Sequence, residues 1–328
     1  MTPRPKTSLV IRCFNEAQHI GRLLEGLGHQ TQPPDQIVIV DSGSTDATLE
    51  IASRFPVDVH RIEPHHFSFG RSLNAGCAAA HNEILVFASA HVYPVYDTWL
   101  RELTLPFEDP QVALAYGRQQ GDSKTKYSER RVMERWFPAQ STPRQDHPFC
   151  NNANAAVRRS VWAKQPYDET LTGLEDVDWA KRAMDRGHCI SYVATAPVFH
   201  AHDETMSEIV NRYRREAIAH RLIYRDHRMG PFEAMRLAAA NAASDYVHAA
   251  REGVLLRNLS AIPAFRAAQF WGTYRGFNQR GEASAALRRH FYYPHGWRRQ
   301  DAAQHPSDAT PIDYSSTGPA QDADVGSD

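Results

Sequence analysis

Gly173-Leu174-Glu175-Asp176-Val177-Asp178-Trp179 puts three carboxylates within four positions. If this segment opens a helix, adjacent side chains project in different directions. One or two of the acids then face any site beside the helix, where they can take a proton from a hydroxyl. The same acids would also complement a helix dipole without doing chemistry. His200 and His202 sit two residues apart at the end of a strand, on one face, where imidazoles can meet a metal ion or a phosphate. Two surface histidines are the plain alternative. Phe14-Asn15-Glu16 and Asp41-Ser42-Gly43-Ser44-Thr45-Asp46 each follow an apolar run. Their carboxylates can accept hydrogen bonds from a pyrimidine N–H and from ribose hydroxyls, and the Gly and Ser positions let a ligand approach the backbone. A turn and a helix cap, with Ser44 as the capping residue, would explain the second cluster without a ligand. Arg71, on a helix after the Gly70 turn, is placed to pair with phosphate oxygens; a solvated arginine is the alternative.

The elements that must position these clusters follow from the apolar pattern. Leu9 to Phe14 is a buried-strand run, and Ile20, Leu23, Leu24 and Leu27 follow at helical spacing. Ile37 to Val40 is the next strand, followed by a helix that carries Leu49 and Ile51. Val57 to Ile62, Ile84 to Ala88, Val112 to Tyr116 and Ile190 to Ala194 supply further strands. Strands alternating with helices predict an α/β fold, a mostly parallel sheet with helices on both faces. In such sheets ligands bind beyond the carboxyl ends of the strands. Asn15-Glu16, Asp41 to Asp46 and Ser89 to His91 all fall there.

A chain of 328 residues, 42% apolar and with a net charge of −1, holds a sizeable core and no global field that would attract nucleic acid. No nucleic-acid reading module is present. Cys13, Cys77, Cys150 and Cys189 lie far apart and read as reduced packing residues of a cytoplasmic protein. No apolar run approaches the roughly 18 residues of a membrane span, and the first residues form no apolar leader. From about Glu204 the texture changes. Positions 206 to 300 hold sixteen arginines, no lysine and seven acidic residues. Tyr213, Tyr224, Phe265, Phe270, Trp271, Tyr274, Phe277, Phe291, Tyr292, Tyr293 and Trp297 lie among them. Such a surface suits anionic headgroups or a polyprenyl diphosphate at the inner face of the cytoplasmic membrane; packing on the preceding domain is the alternative. The expected organisation is an α/β domain over 1–205, a basic helical region over 206–300, and an acidic tail over 301–328 whose composition predicts disorder.

Four segments, taken in order, resemble glycosyltransferase family 2, the inverting nucleotide-sugar transferases with the GT-A fold. They are Arg12-Cys13-Phe14-Asn15-Glu16, Asp41 to Asp46, Phe69-Gly70-Arg71-Ser72-Leu73-Asn74-Ala75-Gly76 and Gly173 to Trp179, within residues 7 to 205. Ala115-Tyr116-Gly117-Arg118-Gln119, His200-Ala201-His202 and Arg212-Tyr213-Arg214-Arg215-Glu216 resemble its rhamnosyltransferase-like branch. The resemblance implies transfer of a sugar from a nucleoside diphosphate to a hydroxyl acceptor, in O-antigen, capsule or exopolysaccharide synthesis. The acceptor would be a saccharide, free or linked to polyprenyl diphosphate. The resemblance places the nucleoside at Glu16, Asp41 and Asp46, within the motifs that also hold Phe14, Asn15 and Ser42. Arg71 and Asn74 would lie along the nucleotide. Asp176 would be the base and Glu175 would orient the acceptor. Phe149-Cys150-Asn151-Asn152-Ala153-Asn154-Ala155-Ala156 resembles the segment beside the acceptor site, with Asn151, Asn152, Asp178 and Trp179 as candidate contacts; a loop whose Asn side chains bond their own backbone is the alternative.

The chain departs from the family after the strand that ends at Ala88. Relatives carry Asp-x-Asp or Gln-Asp there, and the last Asp holds a divalent cation on the diphosphate. Here the segment reads Phe87-Ala88-Ser89-Ala90-His91-Val92-Tyr93-Pro94, with His91 in the metal-binding position and no carboxylate. A histidine ligand favours Mn²⁺ over Mg²⁺, and Ser89, His200 or His202 could complete the diphosphate site. Two alternatives stand beside this. Arginines and histidines could carry the charge without metal, or the chain could be a non-catalytic nucleotide-sugar binder. A nucleotidyltransferase would need a Gly-rich basic loop, which Phe14-Asn15-Glu16 does not provide.

Overall fold

Strand β1 (Thr7–Cys13) sets the architecture, because its apolar residues point both ways. Leu9, Ile11 and Cys13 pack with helix α1 (Ile20–Gly28) in one core, and Val10 belongs to a second core. A strand apolar on both faces belongs inside a sheet covered on both sides. The computed structural model describes residues 5–63, 67–201, 203–226, 228–279 and 308–314. After α1 come β2 (Gln36–Asp41), α2 (Thr48–Ala52), β3 (Asp58–Arg61), α3 (Phe69–Ala79), β4 (Ile84–Ser89), β5 (Val92–Pro94) and α4 (Trp99–Thr104). They are followed by β6 (Val112–Gly121), α5 (Tyr127–Trp136), β7 (Asn154–Arg158), α6 (Arg159–Trp162), α7 (Glu175–Met184) and β8 (Cys189–His200).

The strands form one eight-stranded sheet in the order β3-β2-β1-β4-β7-β6-β8-β5. β3, β2, β1 and β4 are parallel, as are β6 and β8; β7 and β5 run antiparallel to their neighbours. The chain moves outward from β1 to β3 and returns to β4 on the other side of β1. The loops after β1 and β4 therefore part at a topological switch point, the crevice where such sheets bind ligands. α1 and α4 cover one face with Ile20, Leu23, Leu27, Trp99 and Leu103. α3 and α7 cover the other with Leu73, Cys77, Trp179 and Ala183. All four cysteines are free thiols, and only Cys189 is half-exposed.

The six strands expected from the sequence are present, and β5 and β7 join them. β7 is Asn-Ala-Ala-Val-Arg, with too few bulky residues to announce a strand. Asn154 anchors it, accepting from Trp99 Nε1 at 2.9 Å and donating to Arg118 O and Ala196 O.

Helices α8 (Met206–Ile223), α9 (Pro231–Arg251), α10 (Leu255–Asn258) and α11 (Ala261–Phe277) follow. Thr205 and Glu208 form a capping box at the start of α8. α8 and α11 touch backbone to backbone: a Cβ on Gly272 would stand 2.3 Å from Val210 O. Much of the basic, aromatic character turns inward. Arg266 forms a buried bidentate pair with Asp245 at 2.7 and 3.0 Å. Arg212 bonds Glu129 of α5, and Tyr213, Phe265, Phe270 and Phe277 are buried. Trp271 is exposed and stacks on Tyr274. Phe291, Tyr292, Tyr293 and Trp297 lie outside the described residues. No helix among the described residues is long and apolar enough to cross a membrane.

The expected disorder of 301–328 does not extend to residues 308–314. Thr310 O accepts from Asp97 N at 3.1 Å, Ile312 N donates to Val95 O at 3.0 Å, and Pro311 bridges Tyr96 antiparallel. Asp308 chelates Arg101, and the Tyr314 hydroxyl donates to Pro94 O at 2.7 Å. Composition misses this because the order comes from pairing with a neighbouring backbone and not from burying apolar side chains.

Candidate active site

The loops after β1 and β2 are fastened to each other. Asn15 sits in the left-handed region at φ 54°, which lets its Oδ1 accept from Thr45 N at 2.8 Å while its own N–H donates to Ser44 Oγ at 2.9 Å. Asp46 accepts from Ala17 N and Thr48 N, both at 3.0 Å. Thr48 Oγ1 in turn accepts from Glu16 N at 2.7 Å. Asp41, almost wholly buried, accepts from Gly43 N and Ser44 N, and Ser42 Oγ donates to Cys13 O at 3.1 Å. Asp46, not Ser44, therefore holds the start of α2. Phe14 stays exposed at the rim.

Across the switch point the Glu16 carboxylate accepts from His91 Nδ1 at 2.8 Å, joining the β1 loop to the β4 loop. Ser89, the last residue of β4, donates its N–H to Ala153 O at 3.3 Å. The His91 ring stacks on His200 with centroids 5.0 Å apart and planes 20° apart. His200 Nδ1 lies 2.7 Å from Gln119 Oε1. His19 meets His91 edge-on and bonds the Tyr93 hydroxyl, and burial lowers its pKa. His202 lies outside the described residues.

Whether these groups fit a divalent ion is decided by their geometry. Among the described residues no three His, Cys, Asp or Glu gather to hold a metal. Nearly parallel rings direct their in-plane lone pairs along parallel planes, so His91 and His200 do not converge on one ion. A carboxylate holding one nitrogen of His91 is, however, the arrangement that orients a metal-binding imidazole through its other nitrogen. The residues thus fit one protein ligand, with the remaining positions left to phosphate oxygens.

Helix α7 begins abruptly. Leu174 is left-handed at φ 54°, and no side chain caps the helix. Glu175 and Asp176 are turned inward. Asp176 Oδ2 accepts from Asn152 N at 3.1 Å and Oδ1 from Val177 N at 2.8 Å. Burial, and next the neighbouring Glu175, push the Asp176 carboxyl up to about 7. Arg12 Nη1 reaches Glu175 at 3.4 Å. The guanidinium groups of Arg12 and Arg215 both lie over the Phe69 ring, 5.5 and 4.6 Å from its centroid. A cavity of about 60 Å³ opens beside Asp176, walled by Trp136, Asn151, Glu216, His220 and Gln269 among others. A second cavity of about 220 Å³ lies beside the histidines, where Arg22 and Lys124 face Asp122 and Asp203.

Several expected contacts prove to be scaffolding. Asn74 uses its whole amide internally: Nδ2 donates to Tyr167 O and Glu169 Oε1, and Oδ1 accepts from Trp162 Nε1 and Tyr167 N, all at 3.0 or 3.1 Å. It braces α3 and does not address a nucleotide. Arg71 pairs with Glu169 at 2.8 Å. Trp179 has no exposed surface and donates Nε1 to Gln165 O at 2.7 Å, so it is core and not an acceptor contact. Asp178 pairs with Arg182 at 2.8 Å, one helical turn on. Asn152 is buried behind Asp176, whereas Asn151 lines the cavity. Arg12, Arg215, Trp136, Glu216, His220 and Gln269 went unassigned in the sequence. For α8 a signal existed: Tyr213, Glu216, Ala217 and His220 recur at helical spacing, a mixed polar and apolar stripe facing inward.

Comparison with known proteins agrees with this geometry. Residues 8–164 match the profile of glycosyl transferase family 2. The O-antigen chain rhamnosyltransferase WbaN of Salmonella anatum is 30% identical over 228 residues, covering 66% of this chain and 72% of that protein. RfbN of Salmonella typhimurium, another O-antigen chain rhamnosyltransferase, is 25% identical with the same coverage. Among solved structures, the mannosyltransferase PcManGT from Pyrobaculum calidifontis, in complex with GDP-Man and Mn²⁺, superposes with a TM-score of 0.55 at 19% identity. That superposition covers 84% of this chain and 85% of the other, and it shows a shared GT-A fold. The switch-point loops, the acidic start of α7 and these relatives together place the chain in glycosyl transferase family 2.

Proposed function

We propose that this glycosyltransferase moves a hexose or deoxyhexose from a nucleoside diphosphate to a hydroxyl of a saccharide, free or carried on polyprenyl diphosphate. The two Salmonella relatives support a role in cell-surface polysaccharide synthesis, and we place that role at the inner face of the cytoplasmic membrane. Asp176 carries this reading. A buried carboxyl held near neutrality, fixed by two backbone N–H groups beside a cavity, is a poised general base.

In this scheme Asp176 takes the proton of the acceptor hydroxyl. The oxygen attacks the anomeric carbon from the face opposite the nucleotide, the bond to the diphosphate breaks, and configuration inverts. Arg12 and Arg215 balance the charge that develops on the leaving diphosphate. Glu175 holds Arg12 and keeps Asp176 basic. The fastened β1 and β2 loops form a rigid seat for the nucleoside, which limits the ordering cost on binding. Asp176→Asn should lower turnover by on the order of 10²-fold or more with nucleoside-diphosphate affinity unchanged by calorimetry. Near-native turnover would move the base elsewhere.

A divalent ion, when bound, would neutralise the diphosphate. His91, oriented by Glu16, is the residue that would hold it, and an imidazole ligand favours Mn²⁺ over Mg²⁺. EDTA-treated enzyme should recover activity with Mn²⁺ better than with Mg²⁺, and His91→Ala should weaken Mn²⁺ binding in titration. Full activity in EDTA would leave the charge to the arginines.

A further inference from the structure

We propose that the outward face of α9, with the residues of α10 beside it, docks on an anionic lipid surface. This deepens the placement at the cytoplasmic membrane and rests on it. A helix that packs on one side and meets water on the other should carry charge on its outer side. Helix α9 does not. Its inner side holds Ala234, Leu237, Asn241, Asp245 and His248, and Ala234 and Leu237 pack with Phe270 and Phe277 of α11. On the opposite side Phe232, Met235 and Val247 stand exposed at helical spacing, with Ala239 and Ala243 between them. Phe232 is 74% exposed and Met235 65%. Arg236 is the one charged residue on that line, and no carboxylate shares it.

Helix α10 extends the strip. Gly253, left-handed at φ 71°, turns the chain after α9. The Tyr246 hydroxyl donates to Leu259 O at 2.6 Å, which holds the end of α10 against the C-terminal half of α9. Leu256 is 87% exposed, and Leu259 is exposed beside it. Single exposed leucines are ordinary, whereas large apolar side chains gathered on adjoining helices mark an interaction surface.

Charge and area decide what covers it. Between positions 225 and 260, Arg225, Arg228, Arg236, Arg251 and Arg257 are exposed, against Asp226, Glu252 and the half-exposed Glu233. Exposed Phe, Met and Leu among arginines suit a helix lying in a headgroup layer. The apolar side chains enter it and the cations meet its phosphates. A second copy of the chain would need more surface. Helix α9 has 21 residues, so a strip about 30 Å long and about 10 Å wide offers roughly 300 Å². A stable pair of proteins buries about 800 Å² on each partner. A lipid surface sets no such minimum, because it conforms to whatever enters it. The strip is also held rigidly by the packing behind it, so docking adds little ordering cost.

The test is flotation of the full chain with vesicles of equal parts phosphatidylglycerol and phosphatidylcholine, beside vesicles of phosphatidylcholine alone. The chain should float with the first and less with the second. Phe232→Ser combined with Leu256→Ser should weaken binding to the mixed vesicles about a hundredfold, tenfold for each partly buried side chain. Arg257→Gln should weaken it about fivefold, the worth of one basic residue near an anionic surface. Both variants should keep the native melting temperature and nucleoside-diphosphate affinity, because every substituted side chain is exposed. Absence of flotation would overturn the docking surface and the membrane placement together. Flotation that both variants retain would overturn the surface alone. A native chain that sediments as a dimer, with the double variant a monomer, would assign the face to a second copy and overturn the proposal. None of these results bears on Asp176, whose role Asp176→Asn tests without lipid.

Discussion

As the proposed base Asp176 would work only as a carboxylate, and burial together with Glu175 raises the pH at which it becomes one. Turnover should therefore be low in acid and rise through a limb near pH 7 as the proton leaves. Glu175→Gln removes a neighbouring negative charge, so the Asp176 pKa should fall and the limb should move to lower pH. A pH–rate profile with an unmoved limb would show that burial alone sets it. Asp176, Glu16 and His91 could be picked out in the sequence because each lies in a motif at a strand or helix end. The fate of Asn74 and Trp179 could not. A motif gives residue type and order, whereas the side of the helix a residue faces depends on what packs against it. Asn74 meets the Trp162 indole and the Tyr167 backbone, which are distant in sequence.

The parallel strands announced themselves as apolar runs, and the α1 stripe as a helical repeat. β7 did not, because its pairing between β4 and β6 is set by neighbours and by the Asn154 amide, neither visible locally. For the C-terminal helices the sequence left open a basic surface or packing on the preceding domain, and their arginines partly serve as internal ties to α5. The junction of α8 and α11 depends on a missing side chain. Gly272→Ala must push Val210 O away, so it should destabilise the fold by about 1–3 kcal/mol, the usual range for overpacking. Chemical denaturation would check this; unchanged stability would mean that the helices separate easily.

Over the whole molecule, residues 308–314 fasten to the segment after β5, at the outer edge of the sheet. Truncation before Asp308 should lower the melting temperature, by about 2–4 °C for each kcal/mol lost in a domain of this size. Arg101→Ala should reproduce part of the drop, since Arg101 chelates Asp308. A truncated chain melting like the full one would show that the strap contributes nothing. The strap also imposes an order on biosynthesis. Its residues leave the ribosome after every strand and helix they cover, so the backbone beside β5 stays open while the rest of the sheet assembles. An open edge is where nascent chains pair with one another. The growing polypeptide is therefore most exposed to misassembly just before its last pairing residues emerge, and a premature stop upstream of Asp308 would leave that state permanent.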